Sequence, residues 1–246
     1  MKKTEKQLSL HLIVQLYGNK DDLHFKRMSE CIQKNAEFDF VEMITVVCDL
    51  GSAVPPDGGK IRVLFSDIRG SYASLLACAR SYDVVQGTTH YALSNTDIFL
   101  SNDIYKCMEQ ITHASHVAAI SRTEMSGHLV EKPYCCQDLW LFKSHSPSPK
   151  VLESSWNLLG VAGCEHLFAM SLFCHGYNIW NPCLDCKIIH NDPSPKQIWD
   201  DSERYFGSYM FLPPCSISEI ATKPPQYKYD FWRKKFTDAA AQPGPT

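Results

Sequence analysis

Apolar positions in this chain fall into short dense runs, separated by amphipathic stretches of helical period. Residues 10–17 read as a buried strand, and 22–35 carry apolar side chains at Leu23, Met28, Cys31 and Ile32, which is helical spacing. A second apolar run covers 43–48, followed by the turn-rich segment 51–59, which reads as a surface loop. The pattern predicts a third strand over 61–65 and a helix over 71–80 with Leu75, Leu76 and Ala79 on its apolar face. A further strand over 91–94 runs straight into the polar stop Asn95-Thr96-Asp97. Alternation of this kind predicts a mostly parallel sheet with helices on both faces.

Past Asp97 the same pattern continues. Ser101 or Asn102 can cap a helix running to about His113, because short polar side chains accept hydrogen bonds from orphaned backbone N–H groups. Residues 117–121 and 139–142 read as strands, with 123–136 as a loop over the strand ends. Ser- and Pro-rich residues 144–149 break the chain, and 165–175 reads as a helix bounded by Gly163 and Gly176. A last strand falls near 178–180 or 187–190. The expected organisation is a main domain over 8–195, a C-terminal extension over 196–238 packing on it, and a disordered tail over 239–246.

Composition narrows the class. With 246 residues, 44% hydrophobic and 21% charged, the chain can bury a sizeable core as one large α/β domain or two small ones. A net charge of −3 from 24 basic and 27 acidic residues, with no Lys/Arg run, argues against nucleic acid as a partner. The apolar stretch 8–17 contains a histidine and is too short to span a bilayer, so no integral membrane segment and no secretory signal are expected. Eleven cysteines, odd in number and irregular in spacing, suit reduced thiols in a soluble, cytoplasmic protein better than a disulfide framework. Cys183 and Cys186 have CxxC spacing, and Cys135 and Cys136 are adjacent, but a structural zinc site needs a second such pair or spaced histidines. Packing in or beside a strand is the expected role of these thiols.

Candidate chemistry gathers at the strand ends. In an open α/β sheet, ligands collect in the crevice at the carboxyl ends of the strands, so Asp97 is delivered to that crevice and becomes a candidate metal ligand. A turn or helix-capping role is the alternative for this carboxylate. Gln137 and Asp138 precede a strongly apolar run, which puts both at a strand's mouth. Arg69 and Arg122 offer planar forks of donors suited to phosphate oxygens, or to surface ion pairs.

An ordered set of motifs carries a resemblance. It comprises Leu93-Ser94-Asn95-Thr96-Asp97-Ile98-Phe99, Ile120-Ser121-Arg122, Gln137-Asp138-Leu139-Trp140-Leu141-Phe142-Lys143 and Gly160-Val161-Ala162-Gly163-Cys164-Glu165. His175-Gly176-Tyr177, Asn181-Pro182 and Ile188-Ile189-His190 follow in the same order. Over roughly residues 10–195 the chain resembles a family of GT-A-type glycosyltransferases.

The resemblance implies a Rossmann-like α/β/α sandwich that moves a sugar from a nucleotide-sugar donor, such as a UDP-sugar, to a hydroxyl of a glycan or glycoprotein. It also implies Mn²⁺ or Mg²⁺ on the donor diphosphate, held by an Asp-x-Asp motif whose first position here is Asn95. On this reading Asp97 and His190 are metal ligands, with Asn95 a neutral oxygen ligand or a sugar contact. Glu165 matches the acidic residue that takes the acceptor proton in inverting enzymes, with Asp138 as rival base and donor-sugar contact. Tyr17 and Asp67 fall where the fold places nucleotide-binding residues. A metal-independent transferase, a non-catalytic nucleotide-sugar or glycan-binding module, and more distantly a nucleotidyltransferase remain the alternatives.

Overall fold

The chain begins with β1 (Leu10–Leu16), α1 (Leu23–Ala36), β2 (Val41–Asp49), β3 (Ile61–Ser66), α2 (Tyr72–Gln86) and β4 (His90–Ser94). β1 is buried at all seven positions because it lies between β2 and β4, with helices on both faces. Its side chains alternate between two cores: Leu10, Leu12, Val14 and Leu16 face one layer, and Ile13 faces the other. Each fully buried Leu or Ile of this kind stabilises the fold by about 1.5–3 kcal/mol. α1 packs on the first layer through Phe25, Met28 and Ile32, and its start is capped by Asp22, whose carboxylate accepts from the His24 amide at 2.9 Å. The computed structural model describes residues 7–18, 22–49, 51–53, 58–67, 69–86, 88–144, 148–192 and 204–232.

After β4 come β5 (Ile98–Phe99), α3 (Asp103–Gln110), β6 (His116–Ile120), β7 (Thr123–Glu124), β8 (Leu139–Lys143), α4 (Pro149–Ser154) and α5 (Cys164–Cys174). β9 (Asn178–Trp180), β10 (Ile189–His190), β11 (Gly207–Phe211) and β12 (Lys228–Trp232) complete the described chain. The main sheet has seven strands in the order β3-β2-β1-β4-β8-β6-β9, parallel throughout except for β8, which is antiparallel to both neighbours. α2 and α5 cover the second face through Leu75, Leu76, Phe168 and Leu172, around Trp140 and Phe142 of β8. The expected α/β architecture with a mostly parallel sheet is therefore the observed one.

Three expectations change on folding. The segment 123–136 is not all loop: Thr123 and Glu124 form β7, and Pro133–Cys135 makes a 3₁₀ turn. Both proposed positions for the last strand are occupied, but in different sheets, with β9 on the edge of the main sheet and β10 in the centre of a small sheet, β5-β10-β7. Two-residue strands such as β5, β7 and β10 have no periodicity to read, so only their long-range pairing defines them. The helix predicted to run to about His113 ends at Gln110, where Ile111 leaves helical geometry at ψ 69°. β11 and β12 pair antiparallel, and Met210 and Leu212 join the second core beside α5. Within the expected extension, residues 196–203 and 233–238 lie outside the described residues, as does the expected tail over 239–246.

Candidate functional site

The strand order turns back on itself between β1 and β4, and a cleft opens at their carboxyl ends. Gln15, Tyr17, His24, Met28, Arg69, Ser94, Asn95, Thr96, Asp97, Leu159 and Gly160 line it. A topological switch point is where open α/β sheets receive ligands, because two adjacent loops there diverge to opposite faces. Four of the sequence-predicted residues, Tyr17, Arg69, Asn95 and Asp97, meet in this one cleft.

Local hydrogen bonds fix the Asn95-Thr96-Asp97 turn. Thr96 Oγ1 donates to the Gln15 carbonyl at the end of β1, and the Asn95 amide donates to the Asp138 carbonyl at 2.9 Å. Because β8 runs antiparallel, its first residues arrive at the carboxyl end of β4, which puts Asp138 against Asn95. The Asn95 side-chain amide donates to Asp138 Oδ1 at 2.5 Å. Arg69, largely exposed, lies over Gly160, where an added Cβ would stand 2.6 Å from its Nη2. Gly160 sits at φ +69°, so a side chain there would be strained as well as obstructive.

Asp97 is held from the small sheet. β10 pairs His190 with Ile98, and His190 Nε2 lies 3.1 Å from Asp97 Oδ2. The other ring nitrogen, Nδ1, stands 3.5 Å from Glu124 Oε2 on β7. Burial lowers the His190 pKa, but the hydrogen bond and charge of Asp97 outweigh it, so the net direction is up. Asp97 Oδ1 is shielded from solvent and has no hydrogen-bond partner among the described residues.

Two residues not singled out in the sequence meet Asp97. One ligating atom each from His24, Asp97 and Asp192 lies within 4.8 Å of the others. A nitrogen and two carboxylate oxygens suit a divalent ion such as Mn²⁺, and the unpartnered Asp97 Oδ1 fits the same chemistry. His24 lies in the first turn after the β1 loop and Asp192 follows the Ile189–His190 strand. Their only sequence signal was position at an element boundary.

A second group of charges lies deeper. Asp138 is only 5% exposed, and Arg122 Nη1 stands 3.5 Å from its Oδ2, while Arg122 Nε donates to Glu124 Oε1 at 3.2 Å. Burial raises the Asp138 pKa and Arg122 opposes the rise, with Asp97 adding to it. For Arg122, burial works against the charge, and Asp138 and Glu124 more than restore it. Glu165, in the first turn of α5, keeps some solvent exposure, yet its carboxyl is pushed up to about 7 by burial, with Asp138 reinforcing and Arg122 opposing. The start of α5 is set by Gly163, at φ +88°, where a Cβ would collide with the Tyr209 hydroxyl from β11.

The remaining predicted residues lie elsewhere. Asp67 is exposed just past β3 and does not line the cleft. Gln137 is 1% exposed and turns inward, its Nε2 donating to the Pro133 carbonyl at 3.0 Å within a network that includes Ser121 and Asn181. Cys183 and Cys186 are buried free thiols, and among the described residues no cysteine belongs to a cluster of potential metal ligands. No described helix is long and apolar enough to cross a membrane.

No protein-family model matches this chain, and no curated protein matches it by sequence. Solved structures do match. Residues 1–349 of S. aureus TarS are similar at 12% identity and a TM-score of 0.50, covering 76% of this chain and 61% of that one. A protein named as a nucleotide-diphospho-sugar transferase from Desulfovibrio desulfuricans G20 is similar at 12% identity and a TM-score of 0.46, covering 70% of this chain and 78% of that one. The 4-diphosphocytidyl-2C-methyl-D-erythritol synthase of Anaerococcus prevotii DSM 20548 is similar at 9% identity and a TM-score of 0.45, covering 71% and 88%. At these identities the likeness is one of fold, and the chain adopts the Rossmann-like, GT-A-like α/β architecture that the resemblance implied.

Proposed function

We propose that this chain is a glycosyltransferase that moves a sugar from a nucleotide-sugar donor to a hydroxyl of a glycan or glycoprotein acceptor, by single displacement with inversion. The observation that carries this reading is the convergence of Tyr17, Arg69, Asn95 and Asp97 on one cleft at the β1/β4 switch point. Tyr17, 47% exposed, offers a ring face for the nucleotide base, and the Arg69 guanidinium a fork for diphosphate oxygens. A divalent cation, Mn²⁺ or Mg²⁺, at Asp97 would neutralise charge on the departing diphosphate. A UDP-sugar is the donor class to test first. Eleven free cysteines suit a cytoplasmic, reducing setting for this chemistry.

Glu165 is the proposed general base. Its carboxyl, raised to about 7, is matched to taking a proton from an acceptor hydroxyl near neutral pH. Asp138 is the poorer base, because Asn95 donates to its Oδ1, Arg122 stands 3.5 Å from its Oδ2 and burial leaves it little access. Its proposed role is to orient Asn95 at the donor sugar and to balance Arg122. Asn95 also supports a second reading, a metal-independent transferase: its amide is committed to Asp138 and supplies no carboxylate to a cation.

Thermal shift with UDP-, GDP- and TDP-sugars, with and without Mn²⁺, tests binding, because a ligand of the native state raises Tm. The expected result is a shift with one donor class. No shift with any of them at millimolar concentration overturns the transferase reading. With that donor, Glu165→Gln should lower kcat by about 10²–10⁴-fold and keep the shift; full activity would move the base role to Asp138.

A further inference from the structure

The ligand set for a cation in this cleft differs from the pair that the sequence suggested. We propose that His24 Nδ1 or Nε2, an Asp97 oxygen and an Asp192 oxygen ligate one divalent cation, and that His190 positions Asp97 without ligating. This inference rests on the cleft described above and concerns the cation alone.

The spacing favours the triad. Ligating atoms at about 2.0–2.2 Å from a metal stand at most about 4.4 Å apart, across its opposite sides. His24 Nδ1 and Asp192 Oδ2 are 3.9 Å apart, long for a direct ion pair and within that span. All three ligating atoms lie within 4.8 Å of one another, so closure on an ion needs them only to draw closer together.

The scaffold holds each carboxylate from behind. Arg27 Nη1 donates to Asp192 Oδ1 at 2.9 Å, fixing that side chain with its Oδ2 on the His24 side. The Asn191 amide donates to the Asp97 carbonyl at 2.7 Å, so the β10 exit and the metal turn are joined by backbone. His190 lies between Asp97 and Glu124, at 3.1 and 3.5 Å. Its Nε2 is engaged by Asp97 Oδ2, and its Nδ1, turned to Glu124, makes no hydrogen bond among the described residues. His190 thus occupies Asp97 Oδ2 and leaves Oδ1, buried and without a partner among the described residues, for the cation. Carboxylates and histidines that hold a ligand in this way typically change metal affinity about 10–100-fold when removed.

The two assignments separate by spectroscopy. Mn²⁺ bound to the full chain, labelled with ¹⁵N-histidine, is read by pulsed EPR for nitrogen coupling, and its affinity by titration of the free-ion signal. Nucleotide is omitted, so activity plays no part. The expected result is a single histidine-nitrogen coupling that vanishes in His24→Gln and persists in His190→Gln, with affinity about 10-fold weaker in the latter. Asp192→Asn should weaken binding by at least about 10-fold, and circular dichroism should show each variant folded. A coupling that survives His24→Gln and vanishes in His190→Gln overturns the assignment, as does absence of Mn²⁺ binding to the native chain at millimolar concentration. Nucleotide-sugar thermal shifts in EDTA report on the transferase reading separately, and they can persist when the cation assignment fails.

Discussion

Asp97 and Glu165 are both carboxylates near the mouth of one sheet, but their surroundings differ. Asp97 stands at the cleft with a His190 ring nitrogen 3.1 Å from one oxygen. Glu165 is desolvated with no ion-pair partner among the described residues, and its carboxyl rises to about 7. The first environment suits a group held in place to receive a ligand, and the second suits a group that gains and loses a proton. Asp138 lies between them, tied to Asn95 on one side and to Arg122 on the other. It couples the two regions structurally, which accounts for its burial better than contact with acceptor does.

The strongest way to break that comparison is to remove the link. Asp138→Ala leaves the Arg122 guanidinium, itself 19% exposed, with Glu124 as its remaining ion-pair partner among the described residues. The expected loss is about 3 kcal/mol of stability, measured by urea unfolding, because removing one partner of a largely buried pair leaves the other charge less well compensated. A loss below about 0.5 kcal/mol would return Asp138 to a purely chemical role.

A pH series sharpens the contrast next. Glu165 binds its proton more tightly in the folded chain, at about 7, than at its ordinary value of 4.5. Its contribution to stability is therefore full below about 4.5 and is lost as pH rises through about 7. Glu165→Gln should match the native Tm at pH 4.5 and exceed it at pH 8 by a few degrees, about 2–4 °C for each kcal/mol removed. Transfer by the native chain should climb across the same interval, because a base must be unprotonated. A Tm difference independent of pH would show that Glu165 is not desolvated in the folded protein.

The smallest effect belongs to the exposed rim. Arg69→Ala should leave Tm unchanged while weakening nucleotide-sugar binding by about tenfold, or ~1.4 kcal/mol, in calorimetric titration. Equal loss of stability and binding would instead make Arg69 a structural prop of Gly160.

Much of the fold was legible before folding was considered, and some of the cleft with it. β1, β2, β3, β4, β6 and β8 are apolar runs long enough to read, and α1 and α5 carry clear boundaries. Asp97 follows from one of those runs ending, and Tyr17 from another. Gln137 was legible only as polar residue before a strand, and nothing local indicates that its amide turns to Pro133 and away from the cleft. His24 was hidden because a histidine in a first helical turn has many uses, and Asp192 because its neighbour in space, Asp97, is distant in the chain.

The amino-acid sequence by itself determined which segments become strands and helices, since burial of alternating or helically spaced apolar groups is a local property of the pattern. It also determined that a carboxylate would stand at the end of β4. Only the tertiary structure decided what surrounds that carboxylate. The antiparallel entry of β8 brings Asp138 to Asn95, and the pairing of β10 with β5 brings His190 to Asp97, both across several intervening elements. Charge, desolvation and ligand geometry depend on neighbours within a few ångströms, and here those neighbours come from distant parts of the chain.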